Sequence, residues 1–301
     1  MHKTWLCLLA VLGALLAGCG APTGSAGEIV VTTNILGDVV RNIVGDAAPV
    51  RVLMQPNADP HSFGVSAQDA AAMDGAGLIV YNGLGLEENV TRNVETAGAQ
   101  GVPVLAVGDR IDPIQYREGE SAGTLDPHFW TDPQRMIAAV DVIEETILRD
   151  VDGIDSDSVS ANAENYRAQL RELDRTMTQG FAEIAPERRK LVTNHHVLGY
   201  LAQRFGFDVI GAVVPSGTTL AAPSPSDLKS LVGAIESARV PAIFVDSSRP
   251  DKLARVLAED AGVQVEILSL YSESLGPPGT PGATYLDMMR ANTDAIVTGL
   301  R

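Results

Sequence analysis

Between Asp157 and Ile184 apolar residues return every three or four positions. Val159, Ala163, Tyr166, Leu170, Leu173, Met177, Phe181 and Ile184 form one stripe, with charged residues between them. That period predicts a single long amphipathic helix. At 1.5 Å per residue it would reach roughly 40 Å, more than the length of a small domain. Such a helix either packs within one domain or runs the full height of the molecule as a stiff strut between two lobes. A strut between two lobes is expected. Pro186 stops it.

On both sides of this helix, short β-branched runs alternate with helical patterns. Before it, residues 28–33, Val50–Met54, Leu78–Tyr81 and Val102–Val107 read as strands. Helices are expected at Ile35–Val44, Ser66–Asp74 and near Glu87–Thr96. After the polar loop Gly108–Thr124, Asp132-Pro133 opens a helix to about Arg149, with Pro133 suited to its first turn. Beyond the long helix, Lys190–Thr193, Phe207–Ala212, Ala242–Val245 and Val263–Leu268 read as strands. Val197–Phe205, Lys252–Ala261 and Tyr285–Leu300 read as helices. So does Ser224–Ser237, whose Ser224-Pro225-Ser226-Asp227 resembles a capped start. Leu270–Thr284 is a Gly- and Pro-rich loop. The alternation implies α/β lobes with mostly parallel sheets. The two halves share this pattern without a convincing internal sequence repeat.

The chain has only five histidines, and four of them fall at three stations. Asp59-Pro60 delivers His61 and Asp126-Pro127 delivers His128, each followed by an aromatic residue within two positions. Proline fixes its own φ and pushes the preceding residue into an extended conformation, so each histidine rides a stiffened turn. His195 lies as far beyond His128 as His128 lies beyond His61, and His196 adjoins it. Imidazole is the commonest metal-binding side chain. In α/β sheets ligands bind beyond the carboxyl ends of strands. His61 and His195 are expected in loops after strands, one in each half, and His128 in a loop just before a helix. Two lobes facing each other would let these loops converge, so a metal site in the cleft is expected. Sequence neighbours rarely both ligate, which leaves His196 as a supporting neighbour or a surface residue.

The chain opens Met1-His2-Lys3 and then runs apolar from Trp5 to Ala17, too short to span a bilayer comfortably and arranged like a signal peptide. Leu16-Ala17-Gly18-Cys19 resembles a bacterial lipobox, with Cys19 as the lipidated first residue. The other cysteine, Cys7, lies in the apolar run, so no disulfide framework or cysteine-rich metal site can be drawn. Gly20–Gly27 is a flexible tether. The expected division is a signal peptide at 1–18, a tether at 19–27, an N-terminal lobe at 28–156, the linking helix at 157–185 and a C-terminal lobe at 186–301. The expected location is outside the cytoplasm, periplasmic or at the cell surface, on a lipid anchor. The formal net charge of −16 argues against nucleic acid and against electrostatic binding to anionic lipid.

Four segments together resemble the metal-binding solute-receptor lipoproteins of bacterial zinc and manganese ABC importers. They are Asn57-Ala58-Asp59-Pro60-His61, Asp126-Pro127-His128-Phe129-Trp130, Asn194 to Leu201, and Tyr271-Ser272-Glu273-Ser274-Leu275 with Thr284 to Met289. The resemblance covers nearly all of the mature chain. It implies two Rossmann-like α/β lobes joined by one long helix, with one ion held between them. It places ligands at His61, His128 and His195. The family usually has an aspartate as fourth ligand, where this chain has Glu273, a longer carboxylate. Asp246, at the end of the strand Ala242–Val245, is an orienting acid or an alternative ligand. Manganese receptors commonly carry glutamate where His195 stands, and neutral imidazole suits zinc. Zinc is therefore the expected ion and manganese the alternative. Two departures stand out: the loop Gly108–Thr124 lacks the histidines that many zinc receptors carry, and Ala221-Ala222-Pro223-Ser224 replaces a usual glutamate before Pro-Ser.

The resemblance implies a monomeric receptor that serves an ABC permease and its ATPase, with a metallochaperone as a further candidate partner. The linking helix is expected to limit closure, so that release works through loop and ligand rearrangement more than through a wide hinge. A zinc hydrolase would need an open coordination position and a general base, and no His-Glu-x-x-His helix exists. No enzymatic role is expected. An adhesin or a metal-chelate receptor has no specific support in the residues.

Overall fold

The computed structural model describes residues 26–117, 119–262 and 265–301; the expected signal peptide and Cys19 lie outside them. The first half runs β1 (Ile29–Val31), α1 (Asn34–Val44), β2 (Val50–Val52), α2 (Ala67–Asp74), β3 (Leu78–Tyr81), α3 (Thr91–Ala99), β4 (Val104–Ala106) and α4 (Pro133–Asp150). Then comes α5 (Ser156–Ala182). The second half runs β5 (Lys190–Thr193), α6 (Gly199–Phe205), β6 (Asp208–Ala212), α7 (Pro225–Ala238), β7 (Ala242–Asp246), α8 (Lys252–Asp260), β8 (Glu266–Leu270) and α9 (Tyr285–Leu300).

The strands form two four-stranded sheets of like topology, β2-β1-β3-β4 and β6-β5-β7-β8, with every pair parallel. Helices cover both faces, so the central strands are apolar throughout: Leu78, Ile79 and Val80 are fully buried, as are Ala242 and Ile243. In each sheet the order reverses beside the first strand, at β1/β3 and at β5/β7. The loops leaving the carboxyl ends there diverge and open a crevice.

The predicted stripe on α5 is its buried face: Val159, Ala163, Tyr166, Leu170, Leu173, Met177 and Phe181. Asp155 caps its start, accepting from the Ser158 N–H. The helix packs on α1 and α4 of the first half and on α9 of the second. One apolar core therefore runs without a break from Ile29 and Val31 in the first sheet to Ala242 and Phe244 in the second. Two smaller cores fill the outer faces, one under α2 and α3 and one under α7 and α8. Among the described residues no helix is long and apolar enough to cross a membrane.

Most elements lie within two residues of their expected bounds, but two begin three or more residues later. The helix expected near Glu87 begins at Thr91. The Glu87 side chain turns inward instead, accepting from the Thr32 hydroxyl at 2.7 Å and from the N–H groups of Asn82 and Gly83 at 2.6 and 3.2 Å. Burial pushes its carboxyl up, and these three donors work against that. The loop it braces passes through left-handed backbone at Gly83, Leu84 and Gly85, which no helix accommodates. The last strand, expected from Val263, begins at Glu266 and runs to Leu270; Val263 and Gln264 lie outside the described residues.

Candidate metal centre

His61 and His195 follow strands, and His128 precedes a helix, as expected. His61 lies in the turn after β2, His128 leads a 3₁₀ turn (Phe129–Thr131) between β4 and α4, and His195 lies just past β5. Glu273 lies in the loop after β8. The four side chains are brought together and almost completely buried, none more than 2 % exposed. One donor atom from each lies within 4.8 Å of the others.

Four separations between donor atoms, counting both Glu273 oxygens, are close to the donor–donor edge of a tetrahedral ion. His61 Nε2 is 3.4 Å from His128 Nε2 and 3.4 Å from Glu273 Oε2. Glu273 Oε1 is 3.6 Å from His128 Nε2 and 3.2 Å from His195 Nε2. A tetrahedral ion with bonds of about 2.0–2.1 Å has donor–donor edges of about 3.3–3.4 Å. Neither Glu273 oxygen, nor His195 Nε2, makes an aligned hydrogen bond among the described residues. The donors converge on a common centre rather than on one another. A buried carboxylate in this condition is costly unless a cation neutralises it.

The charges of the cluster are coupled. Burial alone would push the Glu273 carboxyl up, but His195 and His128 outweigh it and hold it well below its usual range. For His128 burial opposes the charge, yet the Glu273 and Asp126 carboxylates prevail and raise it. For His195 burial prevails over Glu273 and the ring is lowered, which favours the neutral, ligating form.

Around the cluster lie groups that orient it. Asp126 Oδ1 is 2.8 Å from His128 Nδ1 and accepts the His128 N–H at 2.9 Å. The Tyr116 hydroxyl is 3.1 Å from the same ring nitrogen. Asn194 meets His195 Nδ1 at 3.1 Å. Asp59 Oδ1 accepts the His61 N–H at 3.0 Å, while its Oδ2 accepts from Thr219 across the cleft at 2.6 Å and pairs with Arg249. Asp246 lies outside the cluster and holds the loop that bears Glu273. Its Oδ2 accepts from the Ser272 hydroxyl at 2.6 Å and from the N–H groups of Ser272 and Glu273 at 3.3 and 3.2 Å. The first half grips the same loop: Trp130 Nε1 donates to Ser272 O at 2.9 Å, and Asn34 bonds Ser274 and the Leu275 N–H at 2.8 and 2.9 Å. His196 is not part of the cluster; its ring faces a cavity of ≈ 570 Å³ shared with Arg117 and Asp126. A second cavity, of ≈ 440 Å³, reaches His61 past Leu84, Leu125 and Thr218.

Asp59, Asp126 and Asn194 stand in the quoted sequence motifs with no supporting role expected of them, and Tyr116 stands in none. A signal for the two aspartates was present. In both Asp-Pro-His triplets the aspartate stands two residues before the histidine, the spacing at which its carboxylate accepts that residue's N–H as an Asx turn.

Two like α/β lobes on one helical spine, with three imidazoles and a carboxylate enclosed between them, define a metal-binding solute receptor. The chain belongs to the ZnuA family, the periplasmic component A of zinc-uptake complexes, whose family model matches residues 29–299. It is 31% identical over 300 residues to the manganese-binding lipoprotein MntA of Halalkalibacterium halodurans, covering 97% of each chain. The solved structure of the periplasmic zinc-binding protein TroA from Treponema pallidum superposes with a TM-score of 0.84 at 30% identity, over 91% of this chain and 99% of that one. A manganese-bound periplasmic metal-binding protein from Candidatus Liberibacter asiaticus gives 0.80 at 27% identity, over 91% of this chain and 100% of its own.

Proposed function

We propose that this protein captures Zn²⁺ outside the cytoplasm and delivers it to the permease and ATPase of an ABC importer, with His61, His128, His195 and Glu273 as the four ligands. The observation that carries this reading is the buried Glu273 carboxylate among three imidazoles, both its oxygens without an aligned donor among the described residues. The zinc-binding TroA and the zinc-uptake family support the cargo. Three nitrogens and one carboxylate oxygen suit zinc's tetrahedral preference, whereas manganese favours more oxygen. Manganese is the second reading, favoured by the manganese-binding MntA and the manganese-bound Liberibacter protein.

Four protein donors leave no coordination position for a reactive water, so the site serves carriage and not hydrolysis. In this reading 28–156 and 186–301 are the two lobes and 157–185 links them. Cys19 carries the lipid that tethers a monomer at the membrane, after loss of 1–18. Asp126 holds the His128 ring, and Asp246 holds the Glu273 loop. A soluble metallochaperone is compatible with a donor set that the ≈ 440 Å³ cavity reaches at His61.

The test is competitive titration of chelator-stripped protein with zinc and manganese, on the wild type and on Glu273→Ala. Tight one-to-one zinc binding, weakened at least tenfold by the substitution, is expected; roughly 1.4 kcal/mol corresponds to that factor. Tighter manganese binding at the same stoichiometry would change the cargo. No stoichiometric binding of either ion would overturn the reading.

A further inference from the structure

The two nitrogens of an imidazole are linked through one proton. A ring that gives its Nε2 lone pair to a cation carries that proton on Nδ1, and the proton needs an acceptor. His128 has a carboxylate for this purpose, Asp126 at 2.8 Å. Beside His195 Nδ1 the structure sets a neutral group, the Asn194 side-chain amide, at 3.1 Å. Its nitrogen faces the ring, an arrangement that makes Nδ1 an acceptor and leaves the proton on Nε2. There it would block the lone pair that the cluster needs. A half-turn of the amide brings Oδ1 to the same point, where it accepts from Nδ1–H. The turn breaks no other hydrogen bond of the amide among the described residues.

We propose that Asn194 is a positioning residue for His195: its amide oxygen accepts the Nδ1 proton and selects the tautomer whose Nε2 can bind the ion. The inference rests on His195 being a ligand. Asn194 differs from Asp126 in two respects. It is uncharged, so it enriches its ring with electrons less than a carboxylate does. It can also serve either tautomer, whereas a carboxylate only accepts. His195 is thus hydrogen-bonded in its binding and its non-binding form alike, which suits a ligand that must let go.

The experiment compares zinc affinity and chelator-triggered release in the wild type, Asn194→Leu, Asn194→Asp and His195→Ala. Asn194→Leu is expected to weaken zinc by about 10–100-fold, the usual effect of removing a group that supports a ligand. Asn194→Asp accepts but cannot donate; it should bind at least as tightly as the wild type and release more slowly. If the amide acts only as a donor, Asn194→Asp will weaken binding as much as Asn194→Leu, and the proposal fails. It fails alone if Asn194→Leu binds like the wild type while His195→Ala is weak. It fails together with the ligand assignment if His195→Ala still binds stoichiometrically with wild-type affinity. Long-range ¹H–¹⁵N spectra of the zinc-loaded protein give a second readout. A slowly exchanging His195 Nδ1 proton is expected in the wild type and in Asn194→Asp, and its loss from slow exchange in Asn194→Leu. An unchanged proton in Asn194→Leu would overturn the proposal.

Discussion

Asp126 meets His128 twice, through the backbone N–H and through ring Nδ1, so one carboxylate sets both the turn and the tilt of the imidazole. The same aspartate, with Glu273, raises His128, while burial lowers His195. The sign of the pH effect follows. A proton competes with the ion for each ring, and the raised ring is the first to be taken as the pH falls. Zinc affinity should therefore be complete above the His128 titration and decline through it, by about tenfold per pH unit for one displaced proton. Competition titrations between about pH 8 and about pH 5 check this, and an affinity indifferent to pH would contradict it. At this scale the sequence showed the histidines and Glu273, and it offered Asp246 as an orienting acid, which is where the Glu273 loop is held. Asp59 and Asp126 were visible through their spacing. Tyr116 was not, because its hydroxyl meets His128 and Gly217 only once the chain has folded; nor was Asn194, because a sequence neighbour's contact depends on how the turn aims its side chain.

Elements were legible where a period was long. The stripe of α5 predicted the helix almost to its ends, because apolar positions spaced to 3.6 residues have one way to face a core. Element ends were less legible where a side chain competed with the backbone. Glu87 has a good helical propensity, yet three donors at the carboxyl ends of the central strands draw it inward and delay α3 to Thr91. Strand order was not readable at all, since short apolar runs carry no record of their neighbours. A prediction belongs to α5 itself. Leu173 is fully buried on the stripe, and Leu173→Ala should lower unfolding stability by about 2–5 kcal/mol. Glu172, exposed on the opposite face and paired with Arg175, should cost less than about 0.5 kcal/mol when changed to alanine. Denaturant unfolding distinguishes them, and equal effects would mean that the stripe is not what anchors the helix.

Across the whole molecule the lobes are joined more firmly than by a peptide hinge. The core passes through α5 from one sheet to the other. Asn34, Trp130 and Asp59 of the first half bond to Ser274, Ser272 and Thr219 of the second. Loading and release should therefore shift the backbone of each lobe by about 1 Å or less relative to the other. Solution scattering with and without zinc tests this, and a wide rotation would sink it. The spread of the cluster residues along the chain has a further consequence, in time. His61, His128, His195 and Glu273 come from four separate quarters of the sequence, and Glu273 is the last of them to be synthesised. In an unfolded chain these donors are held apart by long flexible loops, and closing such loops carries an entropic penalty that no single ion repays before folding. A polypeptide threaded unfolded through a membrane therefore travels without cargo. If the chain is exported as proposed, delivery comes first and loading second, and making the receptor would not drain the ion from the compartment that makes it.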